Sequence, residues 1–179
     1  MLPPDTELIA RVLAHDDRHA FAELVRRHQS PLRVLLRRLT CGDHALADDL
    51  AQEALLRAYR GLRGYRGGGQ FSSWLYRIGY NAFLTHIERN RKHAATDEVA
   101  AVEAQASSKR RIELQHDLER AMTALRPEER AAISLSFFEE LTHEEIARIL
   151  DCPLGTVKTH IARGKDRLRQ SLKPWRGEV

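Results

Sequence analysis

Aromatic and basic side chains alternate along residues 71–92, a combination that could bind nucleic acid. Trp74, Tyr76 and Tyr80 lie among several arginines there. A flat ring can stack on any nucleobase while neighbouring cations bind the phosphates, which is how many proteins hold a single strand. Tyr76 and Tyr80 are four residues apart, on a different helical face from Trp74, so we expect part of this aromatic surface to be exposed. The glycine-rich loop before it, residues 65–70, could bring backbone groups close to an unstacked base.

Carboxylate side chains cluster in the preceding helical stretch, residues 44–63. Three carboxylates with a histidine nearby could bind a metal ion or act as an acid–base pair. These residues are Asp48, Asp49, Glu53 and His44. The sequence offers no second ligand helix, so a solvated acidic face and a protein-binding face are the other interpretations. The core stripe of this stretch lies on a different face.

Residues 142–172 predict a helix-turn-helix. Thr142 and Glu145 fit a capping box at the start of the first helix, and Pro153 suits the start of the second. One stripe of the second helix is predicted to be buried: Val157, Ile161, Gly164, Leu168 and Leu172. Its other faces carry cations and small polar groups, as in a helix that enters a DNA major groove. An ordinary amphipathic hairpin with a solvated basic face is the alternative.

The composition indicates an all-α protein of 179 residues, because glycine and proline are sparse and the apolar spacing is helical. Ser30 followed by Pro31 predicts the start of a new helix. No apolar run could span a membrane, and no signal peptide is evident. Cys41 and Cys152 lie far apart, which favours a reducing cytoplasm over a disulfide framework. The net charge is +4, with two basic zones around an acidic middle, which suggests two contacts with one polyanion.

Residues 48–81 closely resemble region 2 of the extracytoplasmic-function group of the bacterial sigma-70 family. The shared pattern is an acidic helix with D-x-x-Q, a short loop, and F-x-x-W-L-x-x-I-x-x-N. Residues 144–169 resemble region 4 of that family. The helix-turn-helix alone is also similar to LuxR-type regulators, but those proteins lack the pattern at residues 48–81. Three consecutive glycines in the loop, and Cys152 in place of a common serine cap, depart from the family pattern.

The resemblance implies two small helical domains joined by a flexible linker. Region 2 corresponds to residues 5–92 and region 4 to residues 109–175. The linker, residues 93–108, is rich in small and acidic residues, which also fits a linker. The implied function is an alternative sigma factor in the cytoplasm, which directs core RNA polymerase to promoters under the control of an anti-sigma factor. It implies no enzymatic activity, no cofactor and no membrane insertion.

The resemblance also implies a role for each interface. The β′ coiled coil of core polymerase would bind Asp48, Asp49, Gln52, Glu53 and Leu56. The single-stranded minus-ten element would bind Tyr65, Arg66, Gly67, Gly68, Gly69, Gln70, Trp74, Arg77, Asn81, Arg89, Arg91 and Lys92. The duplex minus-thirty-five element would bind Thr156, Lys158, Thr159, His160, Arg163 and Arg167. Region 4 would also touch the polymerase β flap.

Within the minus-ten set, we expect Tyr65, the glycine loop and Asn81 to form a pocket for one flipped base. The structural alternative is that Asn81 braces the helix packing. Two other functions remain open at this point: a free-standing helix-turn-helix regulator, and a small metal-dependent enzyme that uses the carboxylates of residues 44–63.

Overall fold

The computed structural model describes residues 3–67, 69–94 and 118–172 of the chain. The regular structure within those residues is helical and includes no strand. The all-α prediction is confirmed. None of the described helices is long and apolar enough to cross a membrane.

Four helices form the N-terminal half. They are α1 (Asp5–His15), α2 (Arg18–Leu39), α3 (His44–Gly61) and α4 (Phe71–Ala94), with a 3-10 turn at Leu62–Gly64. Helix α2 packs against α1, α3 and α4. Its buried leucines are Leu24, Leu32, Leu35, Leu36 and Leu39. Helix α3 buries mainly alanines, and α4 approaches α2 closely at Gly79, where an added Cβ would lie 2.9 Å from Leu32 Cδ1.

Helix α2 runs through Pro31 without interruption, so the predicted helix start at Ser30 is wrong. Asp17 caps this helix instead, since its Oδ1 accepts hydrogen bonds from the backbone N–H groups of His19 and Ala20, both at 3.0 Å. A proline inside a helix costs about 3 kcal/mol. Pro31 is exposed, however, and the leucines that follow it are buried. Burial of that stripe outweighs the local cost.

The C-terminal half contains the helix-turn-helix. Residues 118–123 form α5, which is followed by α6 (Pro127–Phe137), α7 (His143–Leu150) and α8 (Leu154–Ser171). The predicted capping box is confirmed: the Thr142 N–H donates to Glu145 Oε2 at 2.9 Å, and the Glu145 N–H donates to Thr142 Oγ1 at 3.3 Å. Helix α7 ends at Asp151, whose φ of 53° lies in the left-handed region that aspartate tolerates better than most residues.

The predicted apolar stripe docks α8 onto α6. Val157, Ile161 and Gly164 are buried, whereas Leu168 and Leu172, also predicted to be buried, are only half-buried. A Cβ at Gly164 would lie 2.7 Å from Ile133 Cγ1, so the two helices pack at a separation that only glycine permits without a shift. The opposite side of α8 is thereby left facing solvent.

The two halves pack directly against each other, with α7 on α4 and α6 on α2. Glu139, just after α6, accepts hydrogen bonds from Tyr76 Oη at 2.7 Å and from Arg38 at 3.0 Å. Arg130 of α6 donates to the Leu39 carbonyl at 2.5 Å. Most of the predicted linker, from residue 95 onward, lies outside the described residues, so the predicted domain boundaries stay predictions.

Candidate nucleic-acid and protein interfaces

One side of α3 presents the predicted polymerase-binding residues to solvent. Gln52 and Asp49 are exposed, and the Leu56 side chain is 49% exposed, which is unusual for a large apolar residue in a helix with a full core stripe. Asp48 lies 3.5 Å from Arg33. Glu53 pairs with Arg57 at 2.5 Å. The face is therefore a mixed surface in which charges surround an exposed leucine.

These carboxylates do not form a metal site. Among the described residues, no group of three or more histidine, cysteine, aspartate and glutamate side chains could hold a metal ion. Asp48 and Glu53 each have a guanidinium partner instead. Asp48 has a second one, since Arg37 lies 3.7 Å from it. The described residues therefore lack the geometry that the hypothesis of a metal-dependent enzyme requires.

An apolar groove beside Leu56 extends this surface, and sequence reasoning missed it. It is lined by Phe21, Leu55, Leu56 and Tyr59, with Arg18 at its edge. The Phe21 and Tyr59 ring centroids lie 4.8 Å apart. The sequence pattern carries no signal for this groove, because periodicity does not distinguish a core position from the wall of a groove.

The glycine-rich loop borders a cluster of aromatic rings. Tyr65 and Trp74 have centroids 5.3 Å apart, and Phe71 lies 5.9 Å from Tyr65 and 5.6 Å from Trp74. Tyr65 Oη donates to the Gly69 carbonyl at 2.6 Å, which ties the ring to the loop. Gly67 has a φ of 68°, a conformation that favours glycine. Gly68 lies outside the described residues.

The expected exposure of the second aromatic face of α4 is wrong. Tyr76 is 5% exposed and Tyr80 is 3% exposed. Tyr76 packs at the junction of the two halves, where its hydroxyl reaches Glu139. Burial raises the pKa of both phenols above the usual value, and the bond to Glu139 raises that of Tyr76 further. The contact that buries Tyr76 comes from residues more than sixty positions away, which helical periodicity could not reveal.

Other predicted minus-ten residues of α4 do face solvent. Trp74 is half-buried, whereas Asn81, Arg89, Arg91 and Lys92 are exposed. Arg77 is also exposed, but its guanidinium lies 3.3 Å from Asp151 of the C-terminal half. The exposed amide of Asn81 does not support the alternative in which it braces the helix packing.

Helix α8 presents a basic side away from its buried stripe. Lys158, Thr159 and Arg163 are exposed, and Thr156 and His160 are half-buried. Thr159 Oγ1 donates to the Gly155 carbonyl at 2.9 Å. The exposed cations and hydroxyl share the surface that a major groove would meet.

Arg167 differs from the other predicted duplex contacts. Its Nε lies 3.3 Å from the carboxylate of Glu129, which is 1% exposed, and its Nη1 donates to the Ala124 carbonyl at 3.3 Å. Glu129 also accepts the N–H of Arg126 at 3.1 Å. The guanidinium therefore neutralises a buried charge within the domain. A phosphate contact by Arg167 stays a prediction, and it would have to share the side chain with this structural bond.

Two family models match most of the chain. The model described as Sigma-70 region 2 matches residues 24–93, and the model described as Sigma-70, region 4 matches residues 115–168. The chain is 32% identical to the RNA polymerase sigma-H factor of Pseudomonas aeruginosa, over 95% of this chain and 94% of that protein. It is also 32% identical to the ECF RNA polymerase sigma-E factor of Escherichia coli, over 95% of both chains.

Solved structures show the same fold. The sigma factor RpoE from Bartonella quintana, solved with the anti-sigma factor NepR, matches with a TM-score of 0.72 and 26% identity, over 86% of this chain and 96% of that chain. CnrH, solved with the cytosolic domain of CnrY, matches with a TM-score of 0.71 over 95% and 97% of the two chains. At 22% identity, this second match bears on the fold alone.

The structural role of Arg167 can be tested through the stability of the folded chain. Arg167→Ala leaves the Glu129 carboxylate buried without its guanidinium, so the free energy of unfolding should fall by about 1–3 kcal/mol. The control is Arg169→Ala, which removes an exposed cation from the same helix and should change stability by less than about 0.5 kcal/mol. Urea denaturation of the full chain, followed by circular dichroism, measures both. Equal stability of the two variants would contradict the structural assignment of Arg167.

Proposed function

Because this chain belongs to the extracytoplasmic-function group of the sigma-70 family, we propose that its halves divide the work of promoter recognition. The N-terminal half, residues 5–92, binds core RNA polymerase and the melted minus-ten element. The C-terminal half, residues 109–175, reads the duplex minus-thirty-five element and touches the β flap. Sigma factors are non-catalytic initiation factors, and this one acts by binding alone, in the cytoplasm where polymerase works.

The observation that supports the proposal is that one chain carries two surfaces whose different chemistry suits two forms of nucleic acid. The solvent-facing side of α8, with Lys158 and Arg163, suits duplex DNA. The ring cluster of Tyr65 and Trp74 beside a glycine loop suits unstacked bases. A free-standing helix-turn-helix regulator would need only the first surface. The acidic face of α3 adds a protein-binding surface that such a regulator does not require.

The polymerase site is the surface around Leu56. Its exposed apolar side chain, next to the groove of Phe21, Leu55 and Tyr59, offers area that a partner helix can bury. Asp49 and Gln52 border it and would set orientation through charge and hydrogen bonding. The β′ coiled coil is the occupant that family membership supports.

Leu56→Asp should weaken binding to core polymerase about tenfold or more, since each tenfold is about 1.4 kcal/mol and a desolvated carboxylate costs at least that. The matched control is Leu13→Asp, which places the same charge on an equally exposed leucine of α1, 41% exposed against 49%. Affinity for purified core enzyme is measured for both, with circular dichroism to verify folding. Equal affinity of the two variants would refute this site.

The minus-ten site uses the loop and α4. Tyr65, the glycine loop and Asn81 would hold one flipped non-template base, because the ring can stack and the exposed amide both donates and accepts. Arg77, Arg89, Arg91 and Lys92 would bind neighbouring phosphates. Helix α7 packs on α4, and Asp151 reaches Arg77, so the two halves would have to separate before a strand could occupy this side.

The minus-thirty-five site uses the exposed side of α8. Arg163 is the best candidate for a bidentate contact with guanine, because its guanidinium is exposed and points away from the buried stripe. Thr156, Lys158, Thr159 and His160 lie along the same side and would make the remaining base and phosphate contacts. Arg169, further along α8, would meet phosphate.

Arg163→Ala should flatten base preference at one position of the duplex element, with a loss of about 1–3 kcal/mol of discrimination. Arg169→Ala should weaken all sequences alike and reduce the salt dependence, because a phosphate contact carries no base information. Binding of holoenzyme to a set of single-base promoter variants, at several salt concentrations, separates these effects. If both variants lose affinity equally for every promoter sequence, Arg163 does not read a base.

We also propose control by an anti-sigma factor. The relative RpoE from Bartonella quintana was solved in complex with the anti-sigma factor NepR, and it matches this chain along nearly its whole length. A partner that binds both halves in their packed arrangement would keep the polymerase and DNA surfaces from acting together.

A further inference from the structure

A cavity of about 210 Å³ lies where the glycine loop and the start of α4 meet α7. Tyr65, Trp74 and Arg77 line it from the N-terminal half, and Arg148 and Ile149 line it from the C-terminal half. Neither half encloses the space alone. Pockets that enclose drug-sized ligands measure about 300–1,000 Å³, so this one holds a single ring system, and the rest of a larger ligand must lie at its open side.

The charges around the cavity favour an anion. Arg66, Arg77 and Arg148 contribute three guanidinium groups to its wall. The carboxylate of Glu145 already accepts two hydrogen bonds from Thr142, at 2.9 Å from N and 2.8 Å from Oγ1. With Glu145 in the wall and Asp151 beside Arg77, the three guanidinium groups stand against two carboxylates.

The aromatic wall fits a nucleobase. The Tyr65 and Trp74 rings both face this space, with centroids 5.3 Å apart and planes inclined by 55°. The bond from Tyr65 Oη to the Gly69 carbonyl fixes one of the rings. Stacking on such rings accepts any base, because every base has a π face.

We propose that this cavity binds a free nucleoside phosphate. The base lies against Trp74 and Tyr65, while the phosphate meets Arg66 and Arg148. The inference rests on the proposed function, since the same rings are there assigned to a promoter base. A nucleotide in this cavity contacts both halves, so it favours their packed arrangement and competes with single-stranded promoter DNA.

The test is calorimetric titration of the full chain with each of the four 5′-nucleoside monophosphates. Inorganic phosphate and adenosine serve as part-ligands. We expect at least one monophosphate to bind tenfold more tightly than either part-ligand. Arg148→Ala should weaken that binding about tenfold, whereas Arg26→Ala, which removes an exposed arginine of α2 outside the cavity, should leave it unchanged.

Failure of all four monophosphates to bind overturns the proposal. Binding of inorganic phosphate as tight as that of the nucleotide also overturns it, because the site would then be an anion site only. Equal nucleotide affinity of Arg148→Ala and the native chain overturns it as well. Arg148 belongs to α7 and not to the single-strand surface. A minus-ten oligonucleotide titrated in parallel therefore separates the two ideas: if it binds while no nucleotide does, only this inference fails.

Discussion

Glu139 joins the two halves of this protein, and the rest of the arrangement depends on it. Its carboxylate is 14% exposed and accepts hydrogen bonds from Arg38 and from the buried phenol of Tyr76. A buried carboxylate is unfavourable unless it is paired, so loss of its partners can cost about 3–5 kcal/mol. The packing of α6 and α7 on α2 and α4 satisfies all three groups. The raised pKa of Tyr76 keeps its hydroxyl protonated, and therefore a donor, throughout the neutral range.

This contact has a direct consequence for DNA binding. The packed arrangement buries Tyr76 and Tyr80 and sets Asp151 against Arg77, on the helix proposed to hold the melted strand. The basic side of α8 stays exposed in the same arrangement. We therefore expect duplex reading to be possible in the packed form, whereas binding of the single strand requires opening. A partner that favours separation would then act together with DNA.

Local features of the fold could be predicted because their causes are local. The capping box of Thr142 and Glu145, and the stripe of Val157, Ile161 and Gly164, depend on residues within one or two helical turns. The errors arose where a distant contact decided the outcome. Helix α2 continues through Pro31 because its leucines are buried against neighbouring helices. Tyr76 is buried where the C-terminal half packs on α4 and Glu139 accepts its hydrogen bond, and Arg167 is held by Glu129, thirty-eight positions earlier. No periodicity within a single helix contains that information.

The most direct test of this account is the affinity of the full chain for a single-stranded minus-ten oligonucleotide after Glu139→Ala. Glu140→Ala is the matched control, because it removes the same charge from the exposed neighbouring residue and leaves the contact with Tyr76 and Arg38 in place. Fluorescence anisotropy gives both affinities. If the packed arrangement covers the strand-binding surface, Glu139→Ala binds the oligonucleotide at least tenfold more tightly than Glu140→Ala. A tenfold gain means that the free energy needed to separate the two halves has fallen by about 1.4 kcal/mol. Equal affinity of the two variants would contradict it.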